Sequence, residues 1–431
     1  MITLSNSFNS SLLGFSIIAA WVPMNLAEYA LSLETYTESV DLIGFWISLI
    51  VLIIAALASI RSYSSKKETF LIQIFLANLI VCILILKITH LVIFYILFEL
   101  AALPILLIIL GWGNQPEKVS ASFYIFLYTV IASAPIISSF MFLNHSSPGI
   151  SLLALRSNER TLNVSRFIFL GLLISLGIIV KLPIFLVHNW LPKAHVEAPV
   201  FGSIILAGIL LKLGAVGLIR VKHLTLNTPL FGLYSSISFV GLVIISILVL
   251  AKTDIKQIVA FRSILHIAFP IVIFELSTCS RNTVLVLALI THAFRSSGLF
   301  YLVFCFYSKA GSRSTIIIKG CRTNRPRVIF FWILLIVARL GGPPRINLLT
   351  ELIVILQAFH SYGIAMVILL VPCVVICAFH LIMYASPVQN MPEFRNFSEA
   401  QAFSPNSTLI RGLHSLLTIL CLANISVFLA L

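Results

Sequence analysis

The chain consists of long apolar segments that follow one another with short polar interruptions. Apolar residues run continuously for about 20 positions in each segment, which is the helix length that crosses the hydrocarbon core of a bilayer, and they do not alternate as in a barrel strand. Backbone polar groups must be paired inside lipid, so these segments are predicted to be transmembrane helices. They lie near 42–60, 69–88, 90–110, 120–143, 167–187, 200–219, 230–251, 258–276, 283–306, 328–349, 352–384 and 412–431, with a weaker segment at 11–33.

Composition agrees with a membrane protein. Apolar residues make up 60% of the 431 residues and charged residues only 10%, whereas about a quarter of the residues in a soluble domain are charged. The interruptions are too short for a separate soluble domain. We therefore expect an all-α polytopic membrane protein with about 12 to 14 helices.

The net charge of +14 comes largely from short loops between the predicted spans. The loop at 307–327 carries six basic residues and no acidic one. Basic loops of this kind set membrane topology, so they indicate a lipid-embedded protein without a nucleic-acid partner. They place this loop, together with 61–68, 111–118, 188–199 and 252–257, on the matrix or cytoplasmic side.

The sequence contains none of the usual cofactor or metal motifs. Its seven cysteines form no CxxC pair and mostly lie in apolar runs, where cysteine behaves as a small hydrophobic residue. There is no glycine-rich phosphate loop either. We expect no metal site and no bound cofactor in this chain.

Two predicted spans are interrupted by proline. Pro183 lies in the run VKLPIFL, and the run GGPP occupies 341–344. A proline removes a helix hydrogen bond, and broken helices are tolerated at membrane depth where they line a cavity. Both breaks are therefore candidate parts of a transport site.

Four ionisable residues fall inside or beside apolar runs: Glu99, Lys181, Lys212 and Glu351. A charge at the bilayer centre costs about 3 kcal/mol or more, so such residues are candidates for function. Lysines near helix ends can instead extend to the interface, and a single Glu–Lys pair can simply join two helices. Lys212 lies too deep in its segment for the first alternative.

Proton transfer is the chemistry that these side chains can perform. Burial disfavours the charged forms of both glutamate and lysine, so a buried pair has two charge states of similar energy. Histidines can relay protons between such pairs, and His266 and His292 are the candidates. His188, His195 and Glu197 are expected near the water boundary, with Glu197 neutralising Lys193.

Five stretches of the sequence resemble the antiporter-like membrane subunits of respiratory complex I. They are HNWLPKAHVEAPVFGSIILAGILLKLG, FELAALPILLIILGWGNQPEKVSASFYIFLYT, KTDIKQIVAFRSILHIAF, THAFRSSGLF and GGPPRINLLTEL, and together they span roughly 90–390. The run WLPKAHVEAP is the most specific of them. The lysine at 193 and the modest chain length resemble the mitochondrial version of the family.

The resemblance implies a fold of about 13–14 helices with two inverted five-helix repeats, each containing a broken helix. The first half would be 90–219, with Glu99, Lys181 and Lys212, and the second 220–390, with its break at 341–351. Residues 1–89 would form N-terminal helices, and 391–431 a C-terminal loop and helix.

By the same resemblance, Glu99 and Lys181 match the family's Glu–Lys pair and Lys212 its central lysine. Glu351 matches its terminal residue and His292 its channel histidine. The implied function is proton translocation across the mitochondrial inner membrane, driven by electron transfer from NADH to ubiquinone. NADH, FMN, iron–sulfur clusters and ubiquinone would be bound by other complex I subunits, and the partners would include neighbouring antiporter-like chains and membrane lipid.

Four arginines depart from this family pattern: Arg262, Arg295, Arg339 and Arg345. The family usually carries a small polar residue at such positions, and a buried arginine is costly in a membrane. Some mitochondrial codes read as serine a codon that other codes read as arginine, which gives one explanation. The alternative is real arginines at helix ends or paired with Glu275 or Glu351.

Two other functions fit the same features. A stand-alone or Mrp-type cation/proton antiporter subunit would share the broken helices and the buried lysines. A purely structural membrane subunit would need the charges only to hold its helices together.

Overall fold

The computed structural model describes residues 66–88, 90–146, 164–221, 230–276, 281–318, 326–339 and 365–388, with six further positions at 352, 353, 355, 356, 359 and 363. Within these ranges the chain is almost entirely helical, and Asp254 and Ser314 form an isolated β-bridge. The predicted all-α class is confirmed. The segments predicted at 11–33, 42–60 and 412–431, and the GGPP break at 341–344, lie outside the described residues.

The helices follow the predicted segments closely. They are α1 (Lys66–Lys87), α2 (Leu91–Leu100), α3 (Leu103–Trp112), α4 (Lys118–Ser146), α5 (Val164–Lys181), α6 (Trp190–Glu197), α7 (Val200–Ile205), a π-helical turn (Leu206–Leu210), α8 (Leu211–Arg220), α9 (Leu230–Leu250), α10 (Ile255–Leu276), α11 (Arg281–Ala310), α12 (Pro326–Arg339) and α13 (Ala365–Val388).

Six segments of the described chain are long and apolar enough to cross a bilayer. They are Phe70–Lys87, Val92–Trp112, Lys118–Leu143, Val200–Arg220, Gly232–Leu250 and Ala288–Ser308, and two shorter apolar helices cover Phe169–Lys181 and Val371–Ala385. These spans agree with the prediction of a polytopic membrane protein. The total of 13–14 helices, the inverted repeats and the division at 219 remain predictions.

The segment Val200–Arg220, made of α7, the π turn and α8, is the centre of the bundle. Its apolar window is wholly inside the protein. A helix that is apolar on all sides can be buried on all sides. α7 and the π turn pack against α11, and α8 packs against α5. Residues of this segment, Lys212 among them, therefore face protein and not lipid.

Glycine allows α4 and α5 to approach closely. A Cβ atom added to Gly177 of α5 would lie 2.4 Å from the carbonyl oxygen of Ala132 and 2.4 Å from Cδ1 of Ile136, both in α4. Small residues of this kind permit close packing of membrane helices. The register between α4 and α5 thus depends on the missing side chain at 177, and α5 carries Lys181 at its end.

Arg220 joins the end of α8 to the end of α1. Its guanidinium donates hydrogen bonds to the carbonyl oxygens of Ile85, at 2.6 Å, and Ile88, at 3.0 Å, and also to that of Leu86. The last carbonyls of a helix lack partners within the helix. Arg220 supplies these partners, and so fixes α1 against the central segment.

Replacing Gly177 by alanine should destabilise the assembled protein. The added methyl group would meet a backbone carbonyl that cannot move alone, and overpacking of this kind costs about 1–3 kcal/mol. The matched control is Gly111→Ala, because a Cβ at Gly111 meets nothing within 4 Å. The measurement is the unfolding temperature of the purified protein. Equal unfolding temperatures for the two variants would contradict the packing described for α4 and α5.

Candidate functional site

The first predicted break positions Lys181. Helix α5 ends at Lys181, just before Pro183, and the next helix begins only at Trp190. Between them Leu186 has a positive φ of 83°, which is rare for a leucine and indicates a backbone held by its surroundings. The indole N–H of Trp190 donates to the carbonyl oxygen of Val180 at 3.1 Å. The break therefore leaves Lys181 at a helix terminus inside the protein.

A second irregularity, which sequence reasoning did not predict, follows Glu99. Helix α2 ends at Leu100, and the N–H of Ala102 bonds to the carbonyl of Glu99, three residues back, at 3.0 Å. In a continuous α-helix that N–H would bond to the carbonyl of Phe98. The tight turn thus leaves the Phe98 carbonyl available to another donor. Pro104, near the start of α3, is the one signal in the sequence for this turn.

The buried Lys181 forms an ion pair with the half-buried Glu99. The lysine Nζ lies 2.8 Å from Oε1 of Glu99. Nζ also donates to the carbonyl oxygen of Phe98 at 2.7 Å and lies 3.6 Å from the centre of the Phe98 ring. Lys181 is 4% exposed and Glu99 is 21% exposed. The structure thus brings together the two residues that were proposed as a pair.

Lys212 lies in the central segment beside a histidine. Its Nζ is 2.8 Å from Nδ1 of His292 in α11, and it also donates to the carbonyl oxygen of Ala207. Ala207 belongs to the π turn, a wide turn of the kind that often marks functional sites. Lys212 is 1% exposed. The lysine is therefore deep, as predicted, and has a titratable neighbour.

His266 continues this line into α10. Its ring centroid lies 6.3 Å from that of His292, with the two rings inclined by 53°. His266 is half-buried and His292 is buried. Lys212, His292 and His266 thus form a row of three titratable side chains on three helices, and sequence reasoning had selected all three.

The two lysine sites are on neighbouring helices. A Cβ atom added to Gly214 would lie 3.0 Å from Cγ of Leu182. Leu182 directly follows Lys181, and Gly214 comes two residues after Lys212. The contact between these small and apolar residues brings the end of α5 against the start of α8. The two lysines therefore lie on helices that are in direct contact.

The remaining sequence candidates have other surroundings. Glu351 lies outside the described residues. His188 and His195, expected near the water boundary, are buried, and the predicted loop around them contains the buried helix α6. Glu197 is also buried and forms its ion pair with Arg313, at 3.6 Å, instead of neutralising Lys193. These side chains are buried because the run WLPKAHVE forms a helix that packs against α4 and α10.

Sequence reasoning missed Lys256 and His380. Lys256 is buried at the start of α10, and its Nζ donates to the carbonyl oxygens of Val196, at 3.2 Å, and Ala198, at 3.0 Å. Its position in the sequence assigned it to the loop at 252–257. His380 is fully buried in α13, and its Nδ1 lies 2.9 Å from an Nη atom of Arg262. A lone histidine in an apolar run carries no signal for such a partner.

Arg262 and Arg295 are both buried in the middle of helices, at 2% and 5% exposure. Arg262 lies in α10, four residues before His266, and Arg295 lies in α11, three residues after His292. The alternative that these two lie at helix ends was therefore wrong. Arg339 does end its helix, α12, and Arg345 is outside the described residues.

The described part of the chain contains no group of three or more His, Cys, Asp or Glu residues that could hold a metal ion. Beside buried serines, threonines and an asparagine, this part buries three lysines, three arginines, four histidines and the carboxylate of Glu197. Such a set can donate and accept protons.

Comparison with known proteins identifies the family. Residues 89–377 match the family described as NADH:quinone oxidoreductase/Mrp antiporter, TM. The chain is 38% identical over 332 residues to NADH-ubiquinone oxidoreductase chain 4 of Ceratitis capitata, covering 75% of this chain and 72% of that one. It is 39% identical over 320 residues to the chain 4 of Rhipicephalus sanguineus (73% and 70%) and 31% identical over 369 residues to that of Lumbricus terrestris (84% and 81%).

The fold is also similar to that of a solved structure. A chain of respiratory complex I from Thermus thermophilus with bound NADH aligns with a TM-score of 0.78 and 19% sequence identity, covering 91% of this chain and 82% of that chain. The match over two thirds of the sequence and the level of identity to several relatives lead to one conclusion: the chain belongs to the NADH:quinone oxidoreductase/Mrp antiporter membrane family, among the NADH-ubiquinone oxidoreductase chain 4 proteins.

Proposed function

We propose that this chain is a proton-translocating, multi-pass subunit of NADH–ubiquinone oxidoreductase in the mitochondrial inner membrane. Its partners are the other subunits of complex I, including neighbouring antiporter-like chains. NADH, FMN, iron–sulfur clusters and ubiquinone belong to those subunits, and this chain has no redox site of its own. Its identity to the chain 4 proteins supports the assignment.

The contact between Lys212 and His292 is the main observation that supports the proposal. A 2.8 Å contact between an amine and an imidazole nitrogen has room for one shared proton, and both side chains are buried. A proton on Lys212 can pass to Nδ1 of His292 and from there towards His266. Two basic groups in direct contact inside an apolar bundle serve no packing purpose that an apolar pair would not serve better.

In this proposal the Glu99–Lys181 pair controls whether Lys212 keeps its proton. While Glu99 is ionised, its charge compensates that of Lys181. When Glu99 takes up a proton, the charge of Lys181 is no longer compensated. A positive charge next to the central segment then makes the protonated form of Lys212 less favourable, and its proton moves to His292. Return of the Glu99 charge restores the first state.

An Mrp-type antiporter subunit remains the alternative because the matched family includes both classes. The curated relatives described above favour the first assignment, since all three are chain 4 proteins. Purification together with flavin-containing and iron–sulfur subunits supports the complex I assignment, and purification with cation-antiporter subunits alone overturns it.

Replacing Lys212 by methionine in the assembled complex should slow NADH-driven proton pumping by about tenfold or more, because positioned acid–base groups contribute at least that much to a transfer step. Methionine keeps the length and apolar stem of the side chain. Pumping is measured with a pH-sensitive dye in sealed membrane vesicles and divided by the amount of assembled complex. Lys87→Met, an exposed lysine at the end of α1, is the control. Normal pumping in Lys212→Met would identify a scaffold and not a channel.

The Glu99–Lys181 pair can be tested by separating stability from pumping. Glu99→Gln leaves a buried lysine without its counter-charge, which costs about 3–5 kcal/mol. The double variant Glu99→Gln, Lys181→Met removes both charges and should regain most of the lost thermal stability. Pumping should stay low in both variants because the control group is gone in each. A double variant that recovers stability and pumping together would show that the pair only joins two helices.

We also propose that positions 262, 295, 339 and 345 carry serine in the mature protein. Two guanidinium groups within four residues of His266 and His292 would oppose a positive charge moving along that row. Serine fits these helices without further partners. The neighbouring Ser263 and Ser296 each bond to a carbonyl of their own helix, at 3.1 and 3.2 Å.

Peptide mass spectrometry of the purified chain decides this point. Trypsin cuts after arginine, so serine at 262 gives a peptide that reads through from Gln257 past that position, and arginine gives a peptide that ends there. Chymotryptic peptides over 295 and 345 provide an independent reading. Arginine found at any of the four positions excludes codon reassignment there.

A further inference from the structure

A polar cavity of about 610 Å³ lies between α4, α6 and α10. Its wall combines two lysines, two tyrosines, a serine and a carboxylate, which are Lys193, Lys252, Tyr124, Tyr128, Ser120 and Glu117. The volume falls in the range of about 300–1,000 Å³ that is typical of ligand sites in proteins. The cavity is therefore large enough for a polar ligand group, and its wall offers that group both signs of charge.

The cavity lies at the level where two apolar spans end. The span Lys118–Leu143 begins beside Glu117, and the span Gly232–Leu250 ends two residues before Lys252. Both ends belong to the side of the membrane that the charge pattern assigns as basic. Because the spans cross the hydrocarbon core, a wall at their ends lies at the depth of the lipid headgroups.

Large apolar side chains are exposed next to this polar wall. Phe123 of α4 is 58% exposed, Leu250 of α9 is 46% exposed, and Leu186, in the break between α5 and α6, is 63% exposed. Exposed apolar surface bordered by polar residues is typical of binding sites. A molecule that fills the cavity and covers its rim needs a polar head and an apolar part, and a phospholipid has both.

Both lysines are held over aromatic rings of the cavity wall. Nζ of Lys193 lies 3.4 Å from the centre of the Tyr124 ring, and Nζ of Lys252 lies 5.6 Å from the centre of the Phe261 ring. A cation over a ring keeps its charge and its N–H donors for a further partner. Basic pockets between transmembrane helices bind phospholipid headgroups. The two lysines thus form a site for a phosphate group.

The carboxylates of the wall differ in their availability. Glu197 forms an ion pair with Arg313 at 3.6 Å, whereas Glu117 is exposed. A headgroup with negative charge alone would meet like charge at Glu117. A headgroup with a phosphate and a primary ammonium group matches both signs, and its N–H groups can donate to the carboxylate.

We propose that this cavity binds the headgroup of a phospholipid of the phosphatidylethanolamine class. Lys193 and Lys252 bind the phosphate, and Glu117 binds the ammonium group. The acyl chains lie over the apolar rim formed by Phe123 and Leu250. The inference goes beyond the proposed function and does not depend on the route of the protons.

Photo-cross-linking of the purified protein tests this site. The probe is phosphatidylethanolamine with a diazirine at the glycerol end of one acyl chain, and we expect label in peptides that contain Phe123 or Leu250. Labelling there should fall roughly 25-fold in the double variant Lys193→Met, Lys252→Met, because each lysine near a membrane surface contributes about fivefold. Lys87→Met, an exposed lysine at the end of α1, is the control and should label normally.

Equal labelling in the double methionine variant and in the control would overturn the proposal. The double variant Lys193→Arg, Lys252→Arg keeps both charges, so it should keep most of the labelling. A loss in the arginine variant as large as in the methionine variant would show that charge does not recognise the lipid, and this result would also overturn the proposal.

Competition on the unchanged protein identifies the ligand and does not require any variant to fold. Unlabelled phosphatidylethanolamine should displace the probe better than phosphatidylglycerol, which has no ammonium group, and Glu117→Gln should remove this difference. Phosphorylethanolamine, the headgroup without acyl chains, should not displace the probe. Equal displacement by the two lipids would overturn the assignment of Glu117. Displacement by phosphorylethanolamine at the same concentration would identify a soluble phosphate ester as the ligand and overturn the lipid site.

Discussion

The cost of placing a lysine inside an apolar bundle is the constraint on which this structure depends. A buried ammonium group needs partners, and a carboxylate partner alone would hold the lysine permanently charged. Each of the three lysines buried in the described part of the chain also bonds to one or two backbone carbonyls at an irregular turn or a helix end. Lys181 reaches the Phe98 carbonyl at the tight turn after α2, Lys212 reaches the Ala207 carbonyl in the π turn, and Lys256 reaches two carbonyls at the end of α6.

A carbonyl partner suits a residue that must change its charge. It accepts a hydrogen bond from an ammonium group and from a neutral amine alike, so the side chain stays in place when the proton leaves. In a regular helix each carbonyl before the last turn already accepts one bond within the helix, so carbonyls at irregular turns and helix ends are the more available acceptors. The irregular turns are therefore the means by which an apolar bundle contains titratable lysines, and this explains why they coincide with these residues.

The link between buried lysines and irregular turns also explains which features could be predicted from the sequence and which could not. The cost of a charge in lipid singles out Glu99, Lys181 and Lys212 directly, and Pro183 predicts the first break. The turn after Leu100 and the π turn at Leu206–Leu210 occur within apolar residues whose pattern is the same as in a regular helix. Lys256 and Glu197 were assigned to loops because the inward course of α6 depends on packing against α4 and α10, which no local pattern records.

The contact between Leu182 and Gly214 determines how the two lysine sites communicate. Apolar atoms fill the contact between the end of α5 and the start of α8. Such atoms neither donate nor accept a proton, whereas the field of a charge passes through them. Along this contact the two sites can therefore interact by charge more readily than by proton transfer. Packed helices lie 8–10 Å apart, and at that separation one uncompensated charge changes the energy of another by roughly 2 kcal/mol at an effective dielectric constant of about 20. An energy of that size changes a protonation equilibrium more than tenfold. In the proposed mechanism Glu99 therefore acts on Lys212 through its charge and shares no proton with it, so the ion pair and the lysine–histidine row are separate steps.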